Sequence, residues 1–191
     1  MLIRKAKATD AVHLAKFINM AADDLPLHFW RKSVAPGGDP WAYGQERAAR
    51  ATGSFSYSNA WLAEVGGDVA ACLLGYPAED TPSPIVPDTP AIFVPLLELE
   101  ALAPGSWYLN VLATYPGFRG MGCGTKLLTF AETAARNAQR RTVSLIAADT
   151  HQAALRLYRS QGYTDVESRP VVKGDWQVDA QHWVLMTKAI A

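Results

Sequence analysis

The chain has 191 residues, 49% of them hydrophobic and 19% charged, and its 18 Lys and Arg offset 18 Asp and Glu to a formal net charge of zero. That size and apolar share fit a single folded domain over residues 1–191 and exclude a disordered or collagen-like chain. Zero net charge excludes the broad basic surface that neutralises nucleic-acid or membrane phosphates. The two cysteines, Cys72 and Cys123, make no disulfide framework, and the opening MLIRKAKATD and later runs hold no apolar leader or span, so a cytoplasmic setting is expected.

In chain order, a short strand is expected over Leu2–Lys7. Thr9 and Asp10 then offer N-cap chemistry for a helix from about Ala11 to Ala22, with Val12, Ala15, Phe17 and Ile18 in its buried stripe. Asp23–Trp30 interrupts that pattern, and Pro36-Gly37-Gly38 forms a loop before a second helix, about Trp41 to Ala51. From Ser58 a strand carries Trp61, Ala63 and Val65 on one face. Gly66-Gly67-Asp68 turns it into the apolar run Val69–Tyr76, a hairpin whose second strand is central in its sheet.

Residues 77–106 form a long insertion with seven of the twelve prolines, five acidic residues and no Lys or Arg, with one short helix around Phe93–Ala103. A segment of that length inside a compact domain is usually functional. Trp107–Ala113 is the next strand, with Tyr108, Asn110 and Leu112 on one face and Trp107, Leu109, Val111 and Ala113 on the other. A turn at Pro116 and Gly117 leads to the glycine cluster Arg119–Gly124 and a helix to about Gln139, striped by Cys123, Leu127, Leu128, Ala131, Ala135 and Ala138. A strand (Val143–Ala147), a helix (His151–Gln161, ended by Gly162) and two strands (Tyr163–Val172 and Gln181–Lys188) complete a mixed α/β chain with helices on both faces of its sheet.

The glycine cluster follows a strand and opens a helix, which is where backbone N–H groups and the positive end of the helix dipole suit a phosphate. Its spacing excludes the commoner phosphate loops. Thr125 separates Gly124 from Lys126, against Walker A, and no third glycine falls where the dinucleotide or kinase loop needs it.

What is present is Arg119-x-x-Gly122-x-Gly124 within LATYPGFRGMGCG, and this string resembles the pyrophosphate signature of the GNAT-type N-acetyltransferase superfamily. A second stretch, LIAADTHQAALRLYRSQGY over Leu145–Tyr163, resembles that family's later signature. The resemblance implies a GNAT-like, mostly antiparallel sheet of six or seven strands, splayed at the strand before the glycine loop. It also implies acetyl-CoA as co-substrate and direct transfer to an amine of a small-molecule or peptide acceptor; His13, His28 and His182 are scattered without ligand spacing, so no metal is expected, and the neutral charge and lack of an apolar span leave a monomer or homodimer with neither nucleic-acid nor membrane partner. The weaker alternative is a CoA-binding sensor with the same fold.

Residue by residue, the resemblance places the pantetheine arm along Leu112, Ala113 and Thr114, and the pyrophosphate on Arg119, Gly120, Met121, Gly122, Cys123, Gly124 and Thr125. Asp149 lies beside the pantetheine, and Tyr158 near the thioester sulfur as the acid that protonates the leaving thiolate. Many relatives carry a Glu on the strand before the glycine loop, where this chain has Tyr108 and Asn110. Glu98 and Glu100, just upstream, join those two as candidates for base or water positioning. His28, Trp30, Trp41 and Tyr43 fall where this fold builds its acceptor wall. Each assignment has a plain structural counterpart: Asp149 and Gln152 fit a capping box, Tyr158 and Cys123 fit core packing, the aromatic group fits helix packing, and Glu98 and Glu100 fit a solvated helix face.

Overall fold

The computed structural model describes residues 1–190. Seven strands form one mixed, mostly antiparallel sheet in the order β1-β2-β3-β4-β5-β7-β6, accompanied by six α-helices. Two compact units divide the chain: Met1–Gly75 with Val111–Leu127, and Tyr76–Asn110 with the chain from Leu128 on.

In the first unit, β1 (Leu2–Lys5) pairs antiparallel with β2 (Ala60–Val65), Ile3 opposite Ala63. Helix α1 (Ala11–Ala21) follows a 3-10 turn. Asp10 does not cap α1 as expected. Its carboxylate accepts from the Lys7 N–H at 2.7 Å and from two guanidinium nitrogens of Arg4 at 2.8 and 2.9 Å. Val12 is 44% exposed rather than in the stripe, and Leu14 is buried beside Ala15, Phe17 and Ile18.

The expected interruption at Asp23–Trp30 is instead largely helix, α2 (Leu25–Ser33). Pro26 is accepted because it sits in the first turn, whose N–H groups have no partner within the helix. The break falls earlier, at Asp23 and Asp24, both with positive φ, where buried Asn19 donates to Asp24 and accepts from the Leu27 N–H at 2.9 Å. Helix α3 (Pro40–Ala48) ends before the expected Ala51 and is capped by Asp39, which accepts from Trp41 N at 2.8 Å.

The hairpin joins β2 to β3 (Asp68–Pro77) through Gly66 and Gly67, both at positive φ. A bulge between Ala63 and Glu64 shifts the alternation, so Ala60, Leu62 and Ala63 are buried while Trp61 and Val65 are only partly so. Ala70–Leu74 is fully buried, as its two-sided apolar run predicts. Strand β4 (Trp107–Thr114) runs on into this unit, where the Tyr115 N–H donates to Ala70 O at 2.9 Å.

In the second unit, β4 pairs in parallel with β5 (Thr142–Ala148), Trp107 opposite Val143 and Leu109 opposite Leu145. Strand β7 (His182–Ala189) runs antiparallel between β5 and the exposed edge strand β6 (Thr164–Pro170). The insertion closes at its base through Ala78 N–H to Ser106 O (2.8 Å) and Gly105 N–H to Glu79 O (2.9 Å). Within it, α4 (Val94–Glu100) packs on β5, β6 and β7. Helix α5 (Cys123–Asn137) follows the glycine loop, and α6 (Gln152–Ser160) stops at Gly162, with φ +86°.

Candidate active site

On β4, Val111 and Ala113 are buried while Leu112 and Thr114 are half-buried, which leaves the second pair on the accessible face. A one-turn 3-10 segment, Pro116–Phe118, then delivers Arg119 in extended conformation, exposed, its Nε 3.4 Å from Thr114 O. Gly120 and Gly122 have φ of +76° and +78°, and a Cβ built on either would meet no atom of the chain within 4 Å. These two positions require glycine for their backbone, and the space above them is open. Cys123, Gly124 and Thr125 form the first turn of α5, the end of a helix whose N–H groups point outward, and Lys126 N–H bonds back to Gly122 O at 3.1 Å. Exposed Arg119, Met121 and Lys126 flank that open backbone. Cys123 itself is packed away, 2% exposed, its thiol directed at Phe118 O.

Sequence reasoning missed one support of this loop. Tyr115 hydrogen-bonds His13 Nδ1 at 3.0 Å and lies against Phe17 with ring centroids 4.2 Å apart. Burial pushes its phenol up. Nothing local signals the pairing, since His13 is 102 positions away.

In the second unit the structure separates the two glutamates. Glu98 pairs with Arg169 of β6 at 3.0 Å. Glu100, at the end of α4, is exposed, and its charge influences the buried Tyr108. Its carboxyl pKa is raised by partial desolvation. Tyr108 is pushed well above its ordinary value by burial and by the Glu100 charge. The Tyr76 ring stands edge-on to Tyr108 with centroids 5.9 Å apart, and Asn110 Nδ2 donates to the Tyr76 hydroxyl at 2.9 Å. Tyr108, Asn110 and the unexpected Tyr76 therefore form one connected group.

Asp149 does not make the capping box. Its two carboxylate oxygens accept from the N–H groups of Gln181 (3.1 Å) and His182 (2.9 Å), and Gln152 instead bonds the Asp149 carbonyl. Tyr158 is 6% exposed, with its ring 6.0 Å from Tyr163, and burial raises its phenol pKa, so it carries its proton at neutral pH.

Among the aromatic residues of the first unit, Trp30 is 6% exposed and edge-on to Trp41 at 5.7 Å. It also lies so close to Gly44 that a Cβ there would sit 2.4 Å from its ring. Trp30 is thus a packing residue between α2 and α3. His28, Trp41 and Tyr43 are half-buried. No helix of the described residues is long and apolar enough to cross a membrane. Among the same residues, no group of three or more His, Cys, Asp or Glu is placed to hold a metal ion.

Comparison with known proteins places these features in context. The model of the acetyltransferase (GNAT) family matches residues 23–163. No curated protein matches the chain. Among solved structures, an acetyltransferase is 23% identical, with both chains covered in full and a TM-score of 0.69. An N-acetyltransferase from Staphylococcus aureus is 20% identical over 98% of this chain and all of that one, with a TM-score of 0.68. A GNAT family acetyltransferase from Elizabethkingia anophelis, solved with acetyl-CoA bound, is 16% identical over 69% of this chain and 75% of that one, with a TM-score of 0.51. At these identities the likeness is one of fold.

Proposed function

Because the chain belongs to the GNAT acetyltransferase family, we propose that it transfers the acetyl group of acetyl-CoA directly to a primary amine of a small-molecule or peptide acceptor. The observation that carries the reading is the loop Arg119–Thr125. Its two positive-φ glycines have open space above them, exposed Arg119 and Lys126 flank it, and it leads into the N-terminus of a 15-residue helix. That donor set fits a pyrophosphate and no metal is needed to hold it.

Acetyl-CoA supplies an activated thioester, and the chain's residues do the rest. Backbone N–H groups of Gly120–Thr125 and the Arg119 guanidinium bind the phosphates, and the accessible backbone of Leu112–Thr114 orients the pantetheine arm. A strand N–H stabilises the charge that develops on the carbonyl oxygen. Tyr158, kept protonated by burial, donates toward sulfur as the thiolate departs. An ordinary phenol has a pKa of about 10 and a thiol about 8.5, so this donation helps only as charge builds on sulfur. His28, Trp41 and Tyr43 are proposed to face the acceptor.

The test is calorimetric titration with acetyl-CoA, followed by acetyl transfer across an amine panel for the wild type and Tyr158→Phe. The reading expects binding in both proteins, with kcat reduced about a hundredfold in the variant, the usual scale of a lost general acid. Failure of the wild type to bind acetyl-CoA would refute it. Binding without transfer to any amine would favour the CoA-sensing alternative, to which the missing glutamate on β4 also points.

A further inference from the structure

The loop after β4 stands in open space. A Cβ built on Gly117, Gly120 or Gly122 would meet no atom of the chain within 4 Å, and Pro116, Arg119 and Met121 are exposed as well. Its geometry is therefore set at its two ends. The far end is Cys123, packed away at the start of α5. The near end is Tyr115, which is fixed through backbone and side chain together. Its N–H donates to Ala70 O of β3, and its carbonyl accepts from the Phe118 N–H to close the turn that starts the loop, both at 2.9 Å. His13 and Phe17 stand one helical turn apart on one face of α1, and the Tyr115 ring lies against both, 4.2 Å from Phe17 and 5.9 Å from His13 between centroids. Contact with Phe17 places the ring, whereas the contact with His13 is directional: Nδ1 lies 3.0 Å from the phenol oxygen. Burial pushes the phenol up, so it keeps its proton and can donate to Nδ1 or accept from it, and the bond forms with either tautomer of the imidazole. All of these residues belong to the same compact unit.

We infer that His13 is a positioning residue for the CoA pyrophosphate: bonded to Tyr115, it holds the near end of the loop so that the N–H groups of Gly120–Thr125 face the phosphates before the ligand arrives. This inference rests on the proposed acetyl transfer and deepens it.

The energetic reason is preorganisation. A loop with open space around its glycines samples other arrangements once its base is loose, and ordering it again on binding subtracts from affinity. One neutral hydrogen bond is worth about three- to tenfold in such an equilibrium. The role assigned to His13 ends when the donor is bound, so it enters KM for acetyl-CoA and leaves kcat and KM for the amine alone. A contact that only stabilises the fold behaves differently. Its loss lowers Tm and loosens the whole unit, with no separate effect on the loop.

The experiment uses the full chain as wild type, His13→Ala, His13→Asn and Tyr115→Phe, with the His13→Ala/Tyr115→Phe double variant. Asn offers an amide group where Nδ1 stands, and Phe keeps the contact with Phe17 while removing the bond. Calorimetry with CoA should give affinities about three- to tenfold weaker for His13→Ala and Tyr115→Phe, and nearly wild type for His13→Asn. The double variant should be no weaker than the singles, since all three remove the same bond. KM for acetyl-CoA should rise by the same factor, with kcat and KM for the amine unchanged. In the free protein, amide hydrogen exchange followed by NMR reads the loop directly. The Phe118 and Lys126 N–H groups, bonded to Tyr115 O and Gly122 O, should exchange about three- to tenfold faster in His13→Ala and Tyr115→Phe, while the β2–β3 hairpin keeps its protection. Either CoA affinity or loop exchange equal to wild type in His13→Ala would overturn the inference. So would a loss that His13→Asn does not restore, or faster exchange spread over the whole unit. Failure of the wild type to bind acetyl-CoA would instead refute the transfer reaction, and exchange in the free protein would still decide whether His13 holds the loop.

Discussion

Gly122 separates two effects that substitutions in a ligand loop usually mix. Its φ of +78° is a conformation that an L side chain adopts at a cost of roughly 1–2 kcal/mol, so Gly122→Ala should destabilise the fold by that amount. For a chain of this size the loss is about 2–8 °C in Tm. Asn tolerates the left-handed region better, so Gly122→Asn should lose less stability. Binding should rank differently. A Cβ at Gly122 meets no protein atom within 4 Å, so only a ligand lying against the loop can feel it. Both variants put that Cβ, and Asn a larger group, where phosphate oxygens approach the backbone. Both should therefore lose at least about tenfold in CoA affinity, equivalent to roughly 1.4 kcal/mol, and Asn no less than Ala. Thermal unfolding followed by circular dichroism and CoA calorimetry on the three proteins give both rankings. If CoA affinity is intact in both variants, or falls only in proportion to lost stability, the loop is a structural turn and the cradle argument is wrong.

Two further predictions concern stability. Gly44→Ala gains helix propensity of about 1 kcal/mol but forces a methyl to 2.4 Å from the buried Trp30 ring, an overpacking cost of about 1–3 kcal/mol; a net loss is expected on urea unfolding, partly rescued by Trp30→Leu, and a variant more stable than wild type would show that the α2–α3 contact is looser than described. The Asp10 carboxyl is held below its ordinary value chiefly by the Arg4 hydrogen bonds, so its contribution is present above the unfolded-state pKa, about 3.9, and fades as pH falls through the lower folded value; Asp10→Asn should cost about 1.5–3 kcal/mol at neutral pH and progressively less in acid, and a pH-independent difference would contradict the linkage.

The parts of this fold that the sequence announces are those fixed by near neighbours. Gly66-Gly67 between two apolar runs specifies the β2–β3 hairpin, and the spacing of Cys123, Leu127, Leu128, Ala131 and Ala135 specifies the buried stripe of α5. The glycine loop is legible for the same reason, since its backbone demands are met by residues within one turn. Helix α2 is not, because Pro26 reads as a breaker until one knows that the helix begins at Leu25. That start is set by Asn19 reaching across eight positions to the Leu27 N–H. Asp149 misleads in a similar way: its spacing to Gln152 fits a local cap, whereas its carboxylate partners lie 32 and 33 positions on. Glu98 and Glu100 are indistinguishable in sequence, and only Arg169, 71 positions from Glu98, tells them apart.

The same distant pairings decide which charges a chain of zero net charge leaves unpaired. Residues 77–106 hold five acidic and no basic residues, while Gly117–Arg141 holds five basic and one acidic. Folding joins the two surpluses directly at Asp80 and Arg140 and spends another acid at Glu98 on Arg169. Among the described residues, Glu79, Asp88 and Glu100 of the insertion pair with no cation, and Arg119 and Lys126 at the glycine loop pair with no carboxylate. Internal pairing is the cheaper way to neutralise a charge when a partner is within reach, so the charges it leaves over are informative. A cationic remainder at open backbone N–H groups favours phosphates. CoA affinity, resting on exposed Arg119 and Lys126, should therefore weaken as ionic strength rises, and a calorimetric affinity unchanged between low and high salt would refute the role of these two side chains.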